Sequence, residues 1–288
     1  MKKKRVVFFL ADKIFRLSAL LPPWIGCWIR NRSWPSRRPL LHYVEFHLTD
    51  HCNMNCGGCT HFAPMADRWF ADVGRVTADF ARLKVLFRNI RHVRVMGGEP
   101  LLHPDCTRFL HVVRDAFPDT RLELVTNGLL LGEQPGSFWT ACRETRSTIS
   151  LSVYPPIRDR LDGISARCRS EGVPLDTKDS STFFTRYVPE GNVDVRKAFR
   201  HCRGKSFFCP ILREGRIYKC AMGCYAHYWN RAAPTPFPAE EGMPLADATG
   251  TGILLYLMRP MPACAHCATT TRDYPWRNGA PKLEDWIR

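Results

Sequence analysis

The chain has 288 residues and a mass of 33.1 kDa, long for one compact domain and short for two full ones, so a main domain with an appendage is expected. A 45% apolar share is enough for a core, and a 24% charged fraction excludes a collagen-like or wholly disordered chain. The net charge of +15, carried mostly by scattered arginine, favours an anionic ligand, a nucleic acid or a membrane surface without choosing among them.

Residues 1–40 read as a basic N-terminal extension. Lys2, Lys3, Lys4 and Arg5 precede a short apolar run in the manner of a secretory signal, but Asp12, Lys13 and Arg16 interrupt it. No stretch approaches the roughly 20 apolar residues that span a bilayer. Phe8, Phe9, Ile14, Phe15, Leu17, Leu20 and Leu21 share one side of a basic helix, which fits either a surface-lying membrane anchor or a helix packed on the domain's own exterior.

From residue 41 to about 184, within a main domain expected over 41–195, the sequence alternates short β-branched and aromatic runs with stretches of helical spacing, the pattern of βα units and a parallel sheet. Strands are expected at 43–48, 92–96, 121–126, 148–154 and 175–178, and crossover helices at 77–90 and 104–117. In parallel α/β sheets the chemistry lies beyond the carboxyl ends of the strands. The first strand is followed by Cys52, Cys56 and Cys59 in C-x3-C-x2-C spacing, the second by Gly97, Gly98, Glu99 and Pro100, and the third by Thr126, Asn127 and Gly128. Three thiolates on one loop wrap a small metal cluster and leave one corner open to a ligand. With thirteen cysteines in a chain too large for a disulfide-stapled mini-protein, metal ligation leads.

The cysteine triplet after one strand and the Gly-Gly-Glu-Pro run after the next resemble the radical S-adenosylmethionine superfamily over about residues 43–184. That resemblance implies an α/β fold, a partial (β/α)6 TIM-like barrel. It implies that Cys52, Cys56 and Cys59 bind a [4Fe-4S] cluster whose fourth iron chelates S-adenosylmethionine. Electron transfer from the cluster then releases a 5′-deoxyadenosyl radical that takes hydrogen from a substrate. By position, Gly97, Gly98, Glu99 and Pro100 match the segment at the methionyl amino group, where glycines allow close approach and a carboxylate offsets an ammonium. Ser150 and Ser152 match ribose contacts, Ser152 first, with Asn127 alongside. One departure stands out: Gly58 occupies the place before the third cysteine where many relatives carry an aromatic residue near the adenine. A zinc knuckle completed by His51 or His61 is the competing reading of the triplet, and it gives no role to residues 97–100.

Past residue 180 the alternation fades, and from 202 to 267 cysteine, glycine and aromatic residues dominate, with a Pro- and Ala-rich linker at 232–246 and the domain change near 195. Cys202, Cys220, Cys264 and Cys267 follow the spacing C-x17-C, a gap of 43, then C-x2-C, with Gly215 inside the first pair. This resembles the twitch or SPASM-like appendage of radical enzymes and implies one auxiliary [4Fe-4S] cluster in residues 196–288, near a short strand at 216–219 and a helix at 252–259 stopped by Pro260. Cys209 and Cys224 stay open as substitutes, and a structural zinc is the competing reading. Cys27, Cys106, Cys142 and Cys168 read as core thiols, His103 and His111 as packing or capping residues, and His266 as a hydrogen-bond donor beside the thiolates.

A radical enzyme with one auxiliary cluster implies oxidation of a carbohydrate-like or nucleotide-linked small molecule, with Tyr154, Arg158 and His61 as undistinguished candidates for a base. A peptide substrate is the alternative reaction, and a non-catalytic zinc-stabilised module the alternative class. Nucleic-acid binding by segment 30–38 is disfavoured because Trp34 stands there without other stacking residues. Thiolate-ligated clusters imply a reducing, cytoplasmic setting and a low-potential donor such as flavodoxin or ferredoxin.

Overall fold

The computed structural model describes residues 38–205 and 209–288, so the basic N-terminal segment, including Cys27, lies outside the described residues. Strands β1 (Leu40–Leu41), β2 (Val44–Thr49), β3 (Asn89–Ile90), β4 (His92–Gly97), β5 (Arg121–Thr126), β6 (Thr148–Val153) and β7 (Leu175–Asp179) come from the first half. β8 (Thr182–Tyr187), β9 (Ile211–Arg213), β10 (Arg216–Tyr218), β11 (Met243–Pro244) and β12 (Cys267–Pro275) follow. The helices are α1 (Val73–Leu86), α2 (Cys106–Ala116), α3 (Gly136–Glu144), α4 (Leu161–Ser170), α5 (Val195–Lys205), α6 (Ala221–Cys224), α7 (Ala226–Ala232) and α8 (Gly250–Leu257).

The fold is α/β, built on a sheet in the order β11-β10-β9-β2-β4-β5-β6-β7. Strands β2, β4, β5, β6 and β7 are parallel, as the alternation of the sequence predicts. β9 pairs with β2, also in parallel, so a strand from beyond residue 196 extends the sheet of the first half. The hairpin β9–β10 and the short β11 continue antiparallel, while β8 pairs with β12 in a separate ribbon.

Period-two alternation sorts the side chains of the parallel strands into two faces. Val44, Phe46 and Leu48 of β2, Val93 and Val95 of β4, Leu122 and Leu124 of β5, and Ile149, Leu151 and Val153 of β6 join helix residues in one apolar core. Phe80 and Leu83 of α1 and Phe109 of α2 are fully buried there, each contributing about 1.5–3 kcal/mol. The opposite face is polar. It carries Glu45, His47, Arg94, Glu123 and Ser150, with Arg94 Nε 3.1 Å from Glu123 and its Nη2 donating to Ser150 Oγ at 3.2 Å. Burial opposes charge on Glu123, but the hydrogen bond and charge of His92 and the guanidiniums of Arg121 and Arg94 hold its carboxyl down to about 2.

Helix boundaries differ from the expectation where caps decide them. α1 starts at Val73, not at 77, because Asp72 accepts the Arg75 N–H at 2.7 Å, whereas Thr77 bonds back to Val73 O inside the helix. α8 likewise starts two residues early, capped by Thr249 on Gly252 N at 3.0 Å. Among the described residues no helix is long and apolar enough to cross a membrane.

Candidate active site

The loop between β2 and α1 is held by charge before it presents any thiol. Asp50, fully buried, takes two hydrogen bonds from Arg213 of β9, at 2.6 and 2.8 Å, and a third from Tyr228 Oη at 2.6 Å. The guanidinium also lies 3.8 Å over the Trp69 ring. A planar bidentate pair fixes direction as well as distance, so β9 sets where the following residues begin.

The two glycines after β4 serve that same crossing. A Cβ on Gly98 would meet His51 O at 2.0 Å, and one on Gly97, with φ of +147°, would meet Thr49 O at 2.4 Å. Gly98 N donates to Thr49 O and Glu99 N to His51 O, stitching the two strand ends together. Their lack of side chains is therefore required by backbone on backbone before any ligand is considered.

Cys52, Cys56, Cys59, Gly97, Gly98, Asn127 and Ser152 line one cleft of about 590 Å³ including its mouth, together with His61, Met96, Tyr154 and Phe183. Three thiols, the Gly-Gly turn and two polar strand-end residues thus meet at the carboxyl ends of β2, β4, β5 and β6. Glu99 and Pro100 stand behind the cleft wall, both buried. The Glu99 carboxylate accepts from Thr126 Oγ1 at 2.7 Å, Asn127 N at 2.9 Å and Leu101 N at 3.0 Å. Burial pushes it up to about 7 against the pull of those donors. It holds the turn after β5, and Asn127 in turn reaches Asn53 at 2.7 Å and Cys52 Sγ at 3.7 Å.

Each sulfur faces N–H groups. Cys52 receives the Met54 amide at 3.4 Å, and Cys56 receives Trp276 Nε1 at 3.1 Å. The amides of Ala63, His61 and Phe62 turn toward Cys59. Burial raises all three thiols, Cys56 to about 11, so the donors await an anionic form that a bound cation would create.

Residues 274–286 close over the triplet from the other end of the chain. Asn278 pairs with Cys56 and accepts the Asn55 amide at 2.6 Å, Arg277 O accepts Gly57 N, and Trp286 Nε1 donates to Cys59 O at 2.7 Å. Gly58 finds its reason here: φ is +75°, and a Cβ would lie 1.8 Å from Tyr274 Oη. The aromatic residue missing before the third cysteine is matched by Tyr154 and Phe183 on the cleft wall, with rings 6.1 Å apart, and by Trp276 at 5.5 Å from Tyr154. The sequence singles out Tyr154 only as a candidate base and gives no local signal for Phe183 or Trp276, because the three rings converge from separate segments.

The second cysteine group lines another cavity, of about 1190 Å³ with its mouth, on the far side of Gly58 and Thr60. Cys202, Cys220, Cys264 and Cys267 all border it, and so does Cys209. Cys224 is buried in an aromatic cluster with Tyr225, Tyr228 and Trp229 and is not among the lining residues. Cys220 is the N-cap residue of α6, and the Gly223 and Met222 amides face its sulfur. Much of the remaining wall is apolar, with Phe184, Phe199, Phe237, Met222, Met261 and Trp286, and Arg186 and Lys219 bring two cations to it.

The other sequence candidates occupy ordinary places. Cys106, Cys142 and Cys168 belong to the main core. His103 accepts the Asp105 amide at 3.0 Å and pairs with Ala71 O at 2.9 Å. His111 faces Glu144 on the surface, and His266 bonds Val188 O at 3.0 Å. Arg158 pairs with Asp179 away from the cleft, and burial pushes Tyr154 far above the usual phenol range.

Residues 46–153 match the Radical SAM superfamily. A protein of Acidothermus cellulolyticus named GTP 3′,8-cyclase is 30% identical over 187 residues, covering 58% of this chain and 49% of its own. One of the same name from Sulfurimonas denitrificans is 33% identical over 95 residues, covering 32% of this chain and 29% of its own. The chain therefore matches less than half the length of either relative. The crystal structure of BtrN in complex with AdoMet and 2-DOIA is similar at a TM-score of 0.49 and 12% identity, over 81% of this chain and 96% of that one. With strand ends, cysteine spacing and family match falling on the same residues, this chain carries a radical SAM domain over residues 46–153.

Proposed function

We propose that the chain is a radical enzyme that cleaves S-adenosylmethionine in the cleft of Cys52, Cys56 and Cys59 and uses the second thiol cavity to hold an auxiliary [4Fe-4S] cluster. The observation that carries this reading is the meeting of three sulfurs, the Gly97-Gly98 turn, Asn127 and Ser152 around one cleft. When bound there, a [4Fe-4S] cluster and S-adenosylmethionine supply one-electron cleavage of a C–S bond and a carbon radical.

The protein's own residues bind and orient. Cys52, Cys56 and Cys59 offer three ligands and no fourth, leaving a metal corner for an amino and a carboxylate group. The Gly97-Gly98 backbone lets the methionyl end approach, with Glu99 and Pro100 setting the turn. Ser152 and Asn127 offer hydrogen bonds to a ribose, and Tyr154 with Phe183 offers a face for the adenine. The strap 274–286 covers the Cys56 sulfur, which Trp276 Nε1 reaches at 3.1 Å.

A cluster is favoured over a single zinc ion at the triplet because zinc gives no role to the Gly97-Gly98 turn that lines the same cleft. At the auxiliary site the ligands are Cys202, Cys220, Cys264 and Cys267, with Cys209 beside them.

For the substrate, a polar sheet face bearing Glu45, His47, Arg94, Glu123 and Ser150, together with a net charge of +15, favours a small hydroxylated, phosphate-bearing or nucleotide-linked molecule. The relatives named GTP 3′,8-cyclase agree with an anionic nucleotide class. The electron donor is a low-potential protein of the flavodoxin or ferredoxin kind, in a reducing cytoplasm that keeps these thiols reduced.

Anaerobically reconstituted protein should carry about eight irons, and Cys264→Ala about four, while still releasing 5′-deoxyadenosine from S-adenosylmethionine and dithionite. Full iron content in Cys264→Ala, or a colourless zinc protein that never cleaves the cofactor, contradicts the reading. A finer expectation concerns Trp276→Phe. Losing one N–H···S bond worth about 1 kcal/mol to the reduced cluster should lower its potential by roughly 40 mV in an EPR-monitored redox titration.

A further inference from the structure

We propose that Glu45, His47 and His61 form a site for one divalent transition-metal ion on the polar face of the sheet, beside the cysteine-lined cleft. One ligand atom from each lies within 4.8 Å of the other two, the only such convergence of three His, Cys, Asp or Glu groups among the described residues. Glu45 and His47 stand two apart on β2 and so share a face. His61 arrives from the loop just past Cys59, and its ring meets that of His47 edge-on, centroids 4.6 Å apart.

The outer atoms of the two β2 residues are already anchored. Tyr43 Oη donates to Glu45 Oε1, and Tyr225 Oη bonds His47 Nδ1 at 2.6 Å. This is how metal-binding histidines and carboxylates are oriented, one atom held by the protein and the other presented. The presented atom of His47 is Nε2, which has no hydrogen-bond partner although the residue is only 3% exposed. Leaving such a nitrogen buried and unpaired is unfavourable, and a metal bond removes that cost. Two guanidiniums act on the site, and both are paired: Arg94 with Glu123 at 3.1 Å and Arg213 with Asp50 at 2.6 Å.

Two imidazoles and one carboxylate select zinc, iron(II) or cobalt(II) over magnesium or calcium, and leave coordination positions open. His61 also lines the cleft, so an open position faces the space where a substrate would sit. A hydroxyl or carboxylate oxygen of that substrate is the natural further ligand, since a bound divalent ion makes a hydroxyl more acidic.

The test uses holoprotein with its clusters oxidised and EPR-silent, titrated with Co²⁺ alone and without S-adenosylmethionine. The expected result is one equivalent of high-spin Co²⁺ with imidazole nitrogen couplings in pulsed EPR, displaced by Zn²⁺ and bound at least tenfold more weakly by His47→Gln and Glu45→Gln. Iron content and circular dichroism verify that the variants fold. Wild-type protein that binds no Co²⁺, or bound Co²⁺ without imidazole coupling, overturns the site even if both variants misfold. Because 5′-deoxyadenosine release is assayed without added Co²⁺, failure of this site and failure of the cofactor-cleavage reading are told apart.

Discussion

Cys56→Ala should lose about four irons and release no detectable 5′-deoxyadenosine, a drop of at least about a thousandfold in rate. The reason is ligation: two sulfurs left on the loop hold a cluster poorly, and Trp276 Nε1 loses the sulfur it reaches at 3.1 Å, while the backbone bridge of Asn278 to residue 56 remains. Cys106→Ala is the matched control. That thiol is as buried as Cys56 but sits in the main core, so its loss should cost roughly 1 kcal/mol of stability and leave iron and cofactor cleavage intact. Iron analysis and chromatographic assay of 5′-deoxyadenosine on the two variants separate ligation from mere burial.

Arg213→Met should destabilise the protein by about 3–5 kcal/mol, because it strands Asp50 as an uncompensated buried charge. The loop carrying the cysteine triplet starts at that aspartate, so iron loading should fall together with the thermal midpoint. A double variant, Asp50→Asn with Arg213→Met, should recover much of the loss, since a neutral amide tolerates burial and still accepts from Tyr228. Calorimetry on the two variants with iron content measured in parallel decides the point. If Arg213→Met unfolds at the wild-type temperature, β9 does not position the loop.

Much of the central α/β layout is legible in the sequence because it follows local periodicity. The parallel strands β2, β4, β5, β6 and β7 appear within a residue or two of the alternating runs, whereas β3 falls at the end of the helix expected over 77–90, and the glycine turns mark where backbone must pass close to backbone. Helix starts were less legible, since Asp72 and Thr249 cap further upstream than Thr77 and Gly252 suggest. The strand β9, the ribbon of β8 with β12 and the strap at 274–286 are held by partners eighty or more residues away, and no window of sequence carries that information. The same holds within the cleft. Cys52, Cys56, Cys59, Gly97 and Gly98 announce themselves by spacing, whereas Tyr154, Phe183 and Trp276 meet only in three dimensions. Glu99 is the instructive intermediate: its place in the motif is plain, yet its carboxylate faces Thr126, Asn127 and Leu101 rather than the cleft. Likewise Cys209 and Cys224 look alike in sequence, and only packing puts one at the second cavity and the other in an aromatic cluster.

The most direct measurement is the EPR spectrum of dithionite-reduced, anaerobically reconstituted protein before and after S-adenosylmethionine is added, on Cys264→Ala to isolate the cluster of Cys52, Cys56 and Cys59. Ligation of the cofactor at an open iron predicts a changed g-tensor and, on warming, release of 5′-deoxyadenosine. An unaltered spectrum from a fully loaded cluster, with the cofactor recovered intact, would contradict it.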